Sequence, residues 1–137
     1  MPLLRCRGRV RVPLRLMGKT RSPEHDLQVA IVELVKTNAP EILFSGTMGG
    51  VRLSMNQAKR AKAAGYMKGI PDLIFYEPRN GFHGLAIELK TKRGKISPIQ
   101  RERIEDFRIR GWRAEVAFGW DETLAILRDY FEELGEI

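Results

Sequence analysis

Apolar residues recur at helical spacing in the segment that follows residue 22. A repeat of every three or four positions is typical of one face of an amphipathic helix that packs inward. Ser22 suits the capping position and Pro23 the first helical position, so the pattern predicts a helix from Pro23 to about Thr37. The apolar positions of this face are Leu27, Ala30, Ile31, Leu34 and Val35.

A short strand, a glycine-rich loop and a basic helix are predicted next. The strand is "EILFS", residues 41–45, and the loop is "GTMGGVRLS", residues 46–54. The helix is "MNQAKRAKAAGY", and Gly65 ends it. The loop and this helix are candidates for contact with DNA or with a second copy of the chain.

Residues 69–94, "GIPDLIFYEPRNGFHGLAIELKTKRG", predict two apolar strands joined by a turn. Each strand carries charge where a sheet would have hydrocarbon, namely at Asp72, Glu88 and Lys90. Alternate side chains share a face, so Glu88 and Lys90 lie together, with Cα atoms roughly 6.7 Å apart. A turn centred on Asn80 pairs residue 72 with residue 88 and places the two carboxylates opposite each other, with Cβ atoms about 5 Å apart.

A third helix, a strand and a fourth helix complete the pattern. Ser97 and Pro98 start the helix and Gly111 follows its end, after which "RAEVAF" alternates as a strand and "DETLAILRDYFEEL" is amphipathic. The predicted order is α-β-α-β-β-α-β-α. The strand, helix and strand of residues 84–118 predict a right-handed crossover between parallel strands, hence a mixed sheet flanked by helices and an α/β fold.

The facing acids need an explanation, because like charges directly opposite in a sheet destabilise it. A divalent cation resolves the conflict, since Mg²⁺ prefers one or two carboxylates, water and phosphate oxygens. Lys90 beside that ion could orient or deprotonate a water, or neutralise charge on phosphorus. The structural alternative makes Asp72 a turn acid and Glu88 with Lys90 a salt bridge on a solvated face. Gly69 and Gly94 favour function, because they leave room for a DNA backbone.

Gln100 has two interpretations, and both stay open. With Ser97 it fits a capping box at the start of the third helix. Its spacing to Ile104 also places it on the buried side of that helix, where its amide could hydrogen-bond Lys90 or a water. Glu24 lies in the first turn of the first helix, where an acid favours the helix dipole whatever else it does.

The composition excludes several kinds of site. With one cysteine and two histidines, the chain has no internal disulfide, and a Cys-rich or His-based zinc site is not expected. Any metal is therefore expected to have oxygen ligands. No segment approaches the ~18 apolar residues of a membrane span, and arginines interrupt the apolar positions of residues 1–17. We expect a cytoplasmic protein without a membrane partner.

The net charge of +7 is unevenly placed along the 137 residues. Residues 1–22 hold seven Lys or Arg and no acid, which predicts a flexible basic leader over residues 1–21 and one domain over residues 22–137. Met17 is an alternative start. Residues 52–95 hold ten basic groups and three acids, which indicates a polyanionic partner, or else a solvated face. The candidate DNA-binding residues are Arg52, Lys59, Arg60, Lys62, Lys68, Lys92, Arg93 and Lys95.

Two motifs carry the charged strand residues. They are "PD" at residues 71–72, within "GIPDLIFY", and "ELK" at residues 88–90, within "LAIELKTKRGKISPIQ". With Glu24 and Gln28, an acid and a glutamine four residues apart, they resemble the VRR-NUC family, the virus-type replication-repair nucleases of the PD-(D/E)XK superfamily. The resemblance runs over residues 22–131, and the main departure is the arginine-rich leader.

The resemblance implies a restriction-endonuclease-like core and a site for Mg²⁺ or Mn²⁺. The implied metal ligands are Asp72, Glu88, the Leu89 backbone carbonyl and, as an additional acid, Glu24. The implied partners of the nucleophilic water are Lys90 and Gln100, which complete the catalytic set with the two strand acids. Free-standing members of this size, as in phages, resemble homodimeric endonucleases for branched DNA such as four-way (Holliday) junctions. The resemblance thus implies a bacterial or phage-infected host cell.

Three functions remain in competition. The first is a magnesium-dependent structure-selective endodeoxyribonuclease, for four-way junctions or alternatively for flaps or splayed arms. This hypothesis implies a homodimer, because one site cuts one strand, and symmetric cleavage of a junction needs two sites related by a twofold axis. The second is a noncatalytic DNA-binding module with a nuclease fold, and the third is a domain with surface salt bridges that binds a protein.

Overall fold

The computed structural model describes residues 23–47 and 52–135. The predicted cap at Ser22, the predicted leader of residues 1–21 and the middle of the glycine-rich loop lie outside the described residues.

The helices and strands follow one another in the predicted order. The helices are α1 (Pro23–Asn38), α2 (Met55–Ala63), α3 (Pro98–Ile109) and α4 (Gly119–Tyr130). The strands are β1 (Phe44–Gly46), β2 (Leu73–Phe75), β3 (Leu85–Lys90) and β4 (Arg113–Phe118). A 3₁₀ turn over Glu132–Leu134 follows α4.

Several element boundaries differ from the prediction, among them the start of β1 and the end of the last helix. β1 begins at Phe44 rather than at residue 41, and Leu43 before it is 64% exposed. The last helix ends at Tyr130 because Phe131 takes an extended backbone conformation, with φ −114° and ψ 103°. Its buried ring packs against Phe75, with centroids 5.3 Å apart, so the chain turns inward there.

The four strands form one mixed sheet in the order β1-β2-β3-β4. β1 with β2 and β2 with β3 are antiparallel, whereas β3 and β4 are parallel, as the predicted crossover requires. β3 lies between two strands, and every one of its residues is buried.

Helices cover the sheet on both faces. α1 and α4 pack on the face of β3 that carries Leu85, Ile87 and Leu89, and this is the larger core. α3 packs on the other face, where Ile104 contacts a smaller cluster that includes Ala86. The two faces of β3 are therefore divided as the alternation predicts. Glu88 and Lys90 follow Ala86 on the α3 face.

The register of the β2–β3 hairpin is the predicted one. Leu73 pairs with Ile87 and Phe75 with Leu85, so the ladder is centred on Asn80. Continued by one residue, it sets Asp72 opposite Glu88.

The tight turn itself is not centred where the ladder is. Arg79 and Phe82 exchange backbone hydrogen bonds of 3.2 and 2.9 Å, and Asn80 and Gly81 between them have φ of 55° and 82°. Asn-Gly with positive φ at both positions is the preferred sequence of a type I′ hairpin turn. The β2 side consequently has one more residue than the β3 side between turn and ladder. This one-residue offset sets the register of the strands.

The turn also contacts the end of α4 and the residues that follow it. Arg79 forms an ion pair with Glu133, and its guanidinium lies 4.9 Å from the centroid of the Phe131 ring. The Tyr130 hydroxyl donates to the Glu77 carbonyl at 2.5 Å.

Within the described residues, no helix has both the length and the apolar composition needed to cross a bilayer.

Candidate active site

Asp72 is held at the entrance of β2 by two backbone contacts. Its carboxylate accepts a hydrogen bond of 2.7 Å from the Leu89 N–H, on the neighbouring strand. Its carbonyl accepts one of 2.9 Å from the Thr47 N–H, just beyond β1. The carboxylate is thereby fixed beside β3, close to Glu88.

Glu88 is 3% exposed, on a strand that lies inside the sheet. The alternative of a salt bridge on a solvated face is therefore wrong for this residue. The Gln100 side-chain N–H donates to Glu88 Oε1 at 2.8 Å, across the contact between α3 and β3. A buried carboxylate in this position needs such donors, because burial removes its hydration.

Gln100 serves as a cap and contacts the site at once. Its side-chain oxygen Oε1 accepts from the Ser97 backbone N–H at 3.0 Å. The Gln100 backbone N–H donates to Ser97 Oγ at 3.2 Å, which completes the capping box. The box fixes which end of the amide faces Glu88. Both interpretations of Gln100 from the sequence therefore hold in part, although its protein partner in the site is Glu88 and not the predicted Lys90.

Lys90 lies between two acids. Its Nζ is 3.7 Å from Glu88 Oε1 and 3.8 Å from Glu24 Oε1, and the residue is 8% exposed. Glu24 belongs to the first turn of α1 and is half-exposed. Packing of α1 on the sheet thus brings a third carboxylate to the group.

Gln28 lies one helical turn after Glu24. Its Nε2 is 3.1 Å from the position that a Cβ on Gly46 would occupy, and the Asp72 carbonyl is 3.9 Å from the same position. The acid and the glutamine of the first helix therefore both approach the Asp72 end of the sheet.

Asp72 and Glu88 repel each other when both are ionised, and the nearby lysine does not fully offset this repulsion. Burial, followed by repulsion from Asp72, raises the pKa of Glu88 to about 8, and the Lys90 ammonium only partly opposes this. Burial also raises the pKa of Asp72, while the hydrogen bond from Leu89 acts in the other direction. A cation would therefore stabilise the ionised pair.

The residues present fit a hard divalent ion that keeps part of its water. Asp72 and Glu88 offer carboxylate oxygens. The backbone N–H and C=O of one residue in a strand point toward the same neighbouring strand. Because the Leu89 N–H donates to Asp72, the Leu89 carbonyl faces the Asp72 side as well. Among the described residues, no group of three or more His, Cys, Asp or Glu side chains is placed to hold a metal ion, so Glu24 does not form a three-acid set with this pair. Two carboxylates with open positions suit Mg²⁺, which binds through one or two carboxylates and substrate phosphate oxygens.

The glycines near the acids do not leave the room that the sequence suggested. Gly69 has φ 81°, and a Cβ there would lie 3.0 Å from the backbone of Ile99 in α3. At Gly94 the Thr91 carbonyl would be 3.2 Å away. The expectation that these two glycines admit a DNA backbone is wrong, because the protein itself fills both spaces.

The predicted DNA-binding residues are all exposed, and they occupy two segments. Arg52, Lys59, Arg60, Lys62 and Lys68 lie in and around α2, before the site. Lys92, Arg93 and Lys95 follow the end of β3, and the Lys92 stem lies 3.1 Å from the position of a Cβ on Gly119.

Two contacts of the site carry no signal in the sequence. The Thr47 hydroxyl donates to the Pro71 carbonyl at 2.8 Å, beside its backbone bond to Asp72. Arg103 Nε donates to the Lys68 carbonyl at 3.1 Å and so ties α3 to the chain that leads into β2.

Comparison with known proteins decides the family. A family model of the VRR-NUC domain matches residues 18–120. The chain belongs to the VRR-NUC family. A solved structure described as a VRR_NUC domain protein is 27% identical to this VRR-NUC chain, with a TM-score of 0.68, and the match covers 83% of this chain and 92% of that one. The mixed sheet with flanking helices is thus the restriction-endonuclease-like fold of a nuclease domain. A comparison with curated proteins gives no match.

Proposed function

We propose that this VRR-NUC domain is a metal-dependent, structure-selective DNA endonuclease that hydrolyses phosphodiester bonds in branched DNA, with four-way junctions as its substrate. The observation that carries the proposal is the pair of Asp72 and Glu88, with Lys90 on the same face of β3. A buried Glu88 beside a half-buried Asp72 is costly to the fold and useful to phosphoryl chemistry.

Mg²⁺ or Mn²⁺ would be held by Asp72, Glu88 and the Leu89 carbonyl, with Glu24 as an additional acid nearby. Bound there, the ion would supply positive charge to phosphate oxygens and lower the pKa of a coordinated water. Lys90 has the roles of orienting the attacking water and countering the charge that develops on phosphorus. Gln100 keeps the Glu88 carboxylate in position, because the capping box holds its amide.

The basic residues on both sides of the site would bind phosphates. Such contacts fix the register of DNA without reading bases, which suits selection by structure and not by sequence. Symmetric cleavage of a four-way junction needs two sites, so we propose a homodimer with twofold symmetry.

The test is cleavage of a synthetic four-way junction, with flap, splayed-arm and linear DNA of the same sequences beside it. We expect cleavage of the junction with Mg²⁺ or Mn²⁺, and loss of cleavage in Asp72→Asn and Lys90→Met while binding in Ca²⁺ persists. Glu132→Gln, an exposed acid outside the site, is the matched control and should cut as the wild type does.

Cleavage of flaps or splayed arms in preference to the junction would support the proposed nuclease chemistry and assign it a different substrate. Binding of DNA without cleavage under any divalent ion would make the domain a noncatalytic DNA-binding module. A chain that neither binds nor cuts DNA would rule out the proposal.

A further inference from the structure

The segment of residues 52–68, called here the arm, contains the helix α2, which does not pack on the protein core. No residue of α2 is buried, and within the described residues the helix makes no extensive contact with another helix or strand. A helix of this length is marginal in water without tertiary packing. Local capping supports it instead, since Ser54 and Gln57 form a capping box with bonds of 3.0 and 3.2 Å.

The arm has charge of one sign only. It contains five Lys or Arg and no Asp or Glu. Among the described residues none of the five forms an ion pair, whereas Arg103 and Arg108 of α3 do. Lys59 and Lys62 are three residues apart on α2, and Met55 precedes Lys59 by four, so these three side chains share one helical face. The uncompensated charge points to a polyanion as the occupant of this surface.

The chain is tied to the candidate site before the arm and at the end of the arm. Ahead of the arm, Thr47 donates to the carbonyls of Pro71 and Asp72, at 2.8 and 2.9 Å. At its end, the Lys68 carbonyl accepts from Arg103 of α3. The chain therefore leaves the sheet and returns to it beside the metal-binding carboxylates.

One residue of the second basic segment, Lys92, lies against the other helical layer. Lys68 is bonded to α3, which covers one face of the sheet, while the Lys92 stem packs at the start of α4, which covers the opposite face. Asp72 and Glu88 lie on strands between these layers. Lys68 and Lys92 are therefore attached to opposite helical layers of the domain.

We propose that the arm binds the phosphate backbone of a second duplex, so that it selects DNA whose two duplexes diverge at the cleaved position. This inference rests on the proposed nuclease function. A single linear duplex runs past the site in one direction, whereas a branched substrate has a duplex for each basic segment. A second copy of the chain is a poorer occupant, because a twofold axis through the arm would bring its positive face against itself.

The test compares a charge-neutral arm with a matched control. The triple variant Lys59→Gln, Arg60→Gln, Lys62→Gln removes three charges from exposed positions and keeps good helix formers. The control is Lys36→Gln, Arg110→Gln, Arg128→Gln, which removes three charges near the C-terminal ends of α1, α3 and α4, away from the site. A third variant, Lys59→Arg, Arg60→Lys, Lys62→Arg, keeps the charge and should behave as the wild type.

Binding is measured in Ca²⁺ for a synthetic four-way junction and for a linear duplex of the same sequence, over a range of salt concentrations. We expect the neutral arm to lose more affinity for the junction than for the duplex. The slope of log K against log salt for the junction should become shallower by about 2 to 3, since each lost phosphate contact contributes about 0.9. The control should keep the junction preference of the wild type.

Equal loss on junction and duplex, or no larger loss than in the control, would overturn the role of the arm while junction cleavage by the wild type still supports the nuclease. A wild-type dimer that becomes monomeric only in the neutral-arm variant, by sedimentation, would assign the arm to a second copy and also overturn it. If the wild type binds and cuts no DNA, both proposals fail together.

Discussion

The Gln100 amide donates to Glu88 at 2.8 Å, and the same side chain completes the cap of α3. One residue therefore joins the stability of a helix end to the position of a carboxylate in the sheet. The two roles can be separated by substitution, because the cap uses the oxygen of the side chain and the site uses its nitrogen.

Gln100→Glu keeps the capping oxygen and places a second carboxylate against Glu88. We expect α3 to remain capped and cleavage to fall by about 10- to 100-fold, the range seen when a residue that orients a metal ligand is lost. Ser97→Ala is the complement, with a stability loss of about 1 kcal/mol and cleavage retained. Urea unfolding and junction cleavage measure the two effects. Full activity of Gln100→Glu would show that cleavage does not depend on the Gln100 amide.

The stability of the metal-free protein should depend on pH through Glu88. Its pKa is about 8 in the folded protein and near 4.5 when unfolded, so the folded state holds the proton more tightly between these values. The free energy of unfolding therefore falls as pH rises from 4.5 to 8, by at most about 1.4 kcal/mol per pH unit for this group. Below pH 4.5 the contribution is fully present.

Urea titrations between pH 5 and 9 in EDTA measure this dependence. Glu88→Gln removes the titrating carboxyl and should flatten the curve. Glu132→Gln, at an exposed acid, should leave the curve unchanged. A Glu88→Gln protein with the wild-type slope would show that another group carries the pH dependence.

Divalent ions should stabilise the fold through Asp72 and Glu88. At a Mn²⁺ concentration of ~100 Kd, binding to the folded state alone adds about 2.7 kcal/mol, and this appears as a rise in Tm that EDTA reverses. We expect Asp72→Asn or Glu88→Gln to abolish the rise, and Glu132→Gln to keep it. An equal rise in all four proteins would place the bound ion elsewhere.

Gly69 and Gly65 provide a matched pair of glycines. Both have positive φ, 81° and 101°, but only at Gly69 would a Cβ meet another backbone, that of Ile99. Alanine at either position costs about 1 to 2 kcal/mol for the backbone conformation. Gly69→Ala should cost about 1 to 3 kcal/mol more for the clash with α3.

The Mn²⁺-induced rise in Tm gives a second measurement on these two variants. Gly69 lies three residues before Asp72, so its displacement should weaken the rise, while Gly65→Ala should keep it. Equal loss of stability in both would mean that α3 yields to the added methyl group.

The sequence predicts the sheet well because two local signals agree. Alternation along residues 85–90 divides the faces of β3, and Asn80 with Gly81 marks the turn. The approach of Asp72 to Glu88 follows from these, and its charge repulsion points to a metal. Local pattern alone is sufficient for this part of the site.

The remaining contacts depend on packing that no local pattern contains. Glu24 reaches Lys90 only because α1 lies across the sheet with its first turn at the site. Gln100 could equally have faced Lys90 or water, and the choice of Glu88 follows from where α3 docks. The isolation of α2 is likewise a tertiary property, since its alanines would suit a buried face as well as an exposed one.

The one-residue offset between the Asn80 turn and the strand ladder decides whether Asp72 and Glu88 face each other. If the pairing of Arg79 with Phe82 continued unbroken along the strands, residue 73 would face 88, and Asp72 would stand opposite Leu89 on the other side of the sheet. A deletion of one residue between Phe75 and Arg79 would therefore erase the acid pair without altering either acid. In this hairpin the number of residues between turn and strand positions the two acids as much as their identity does.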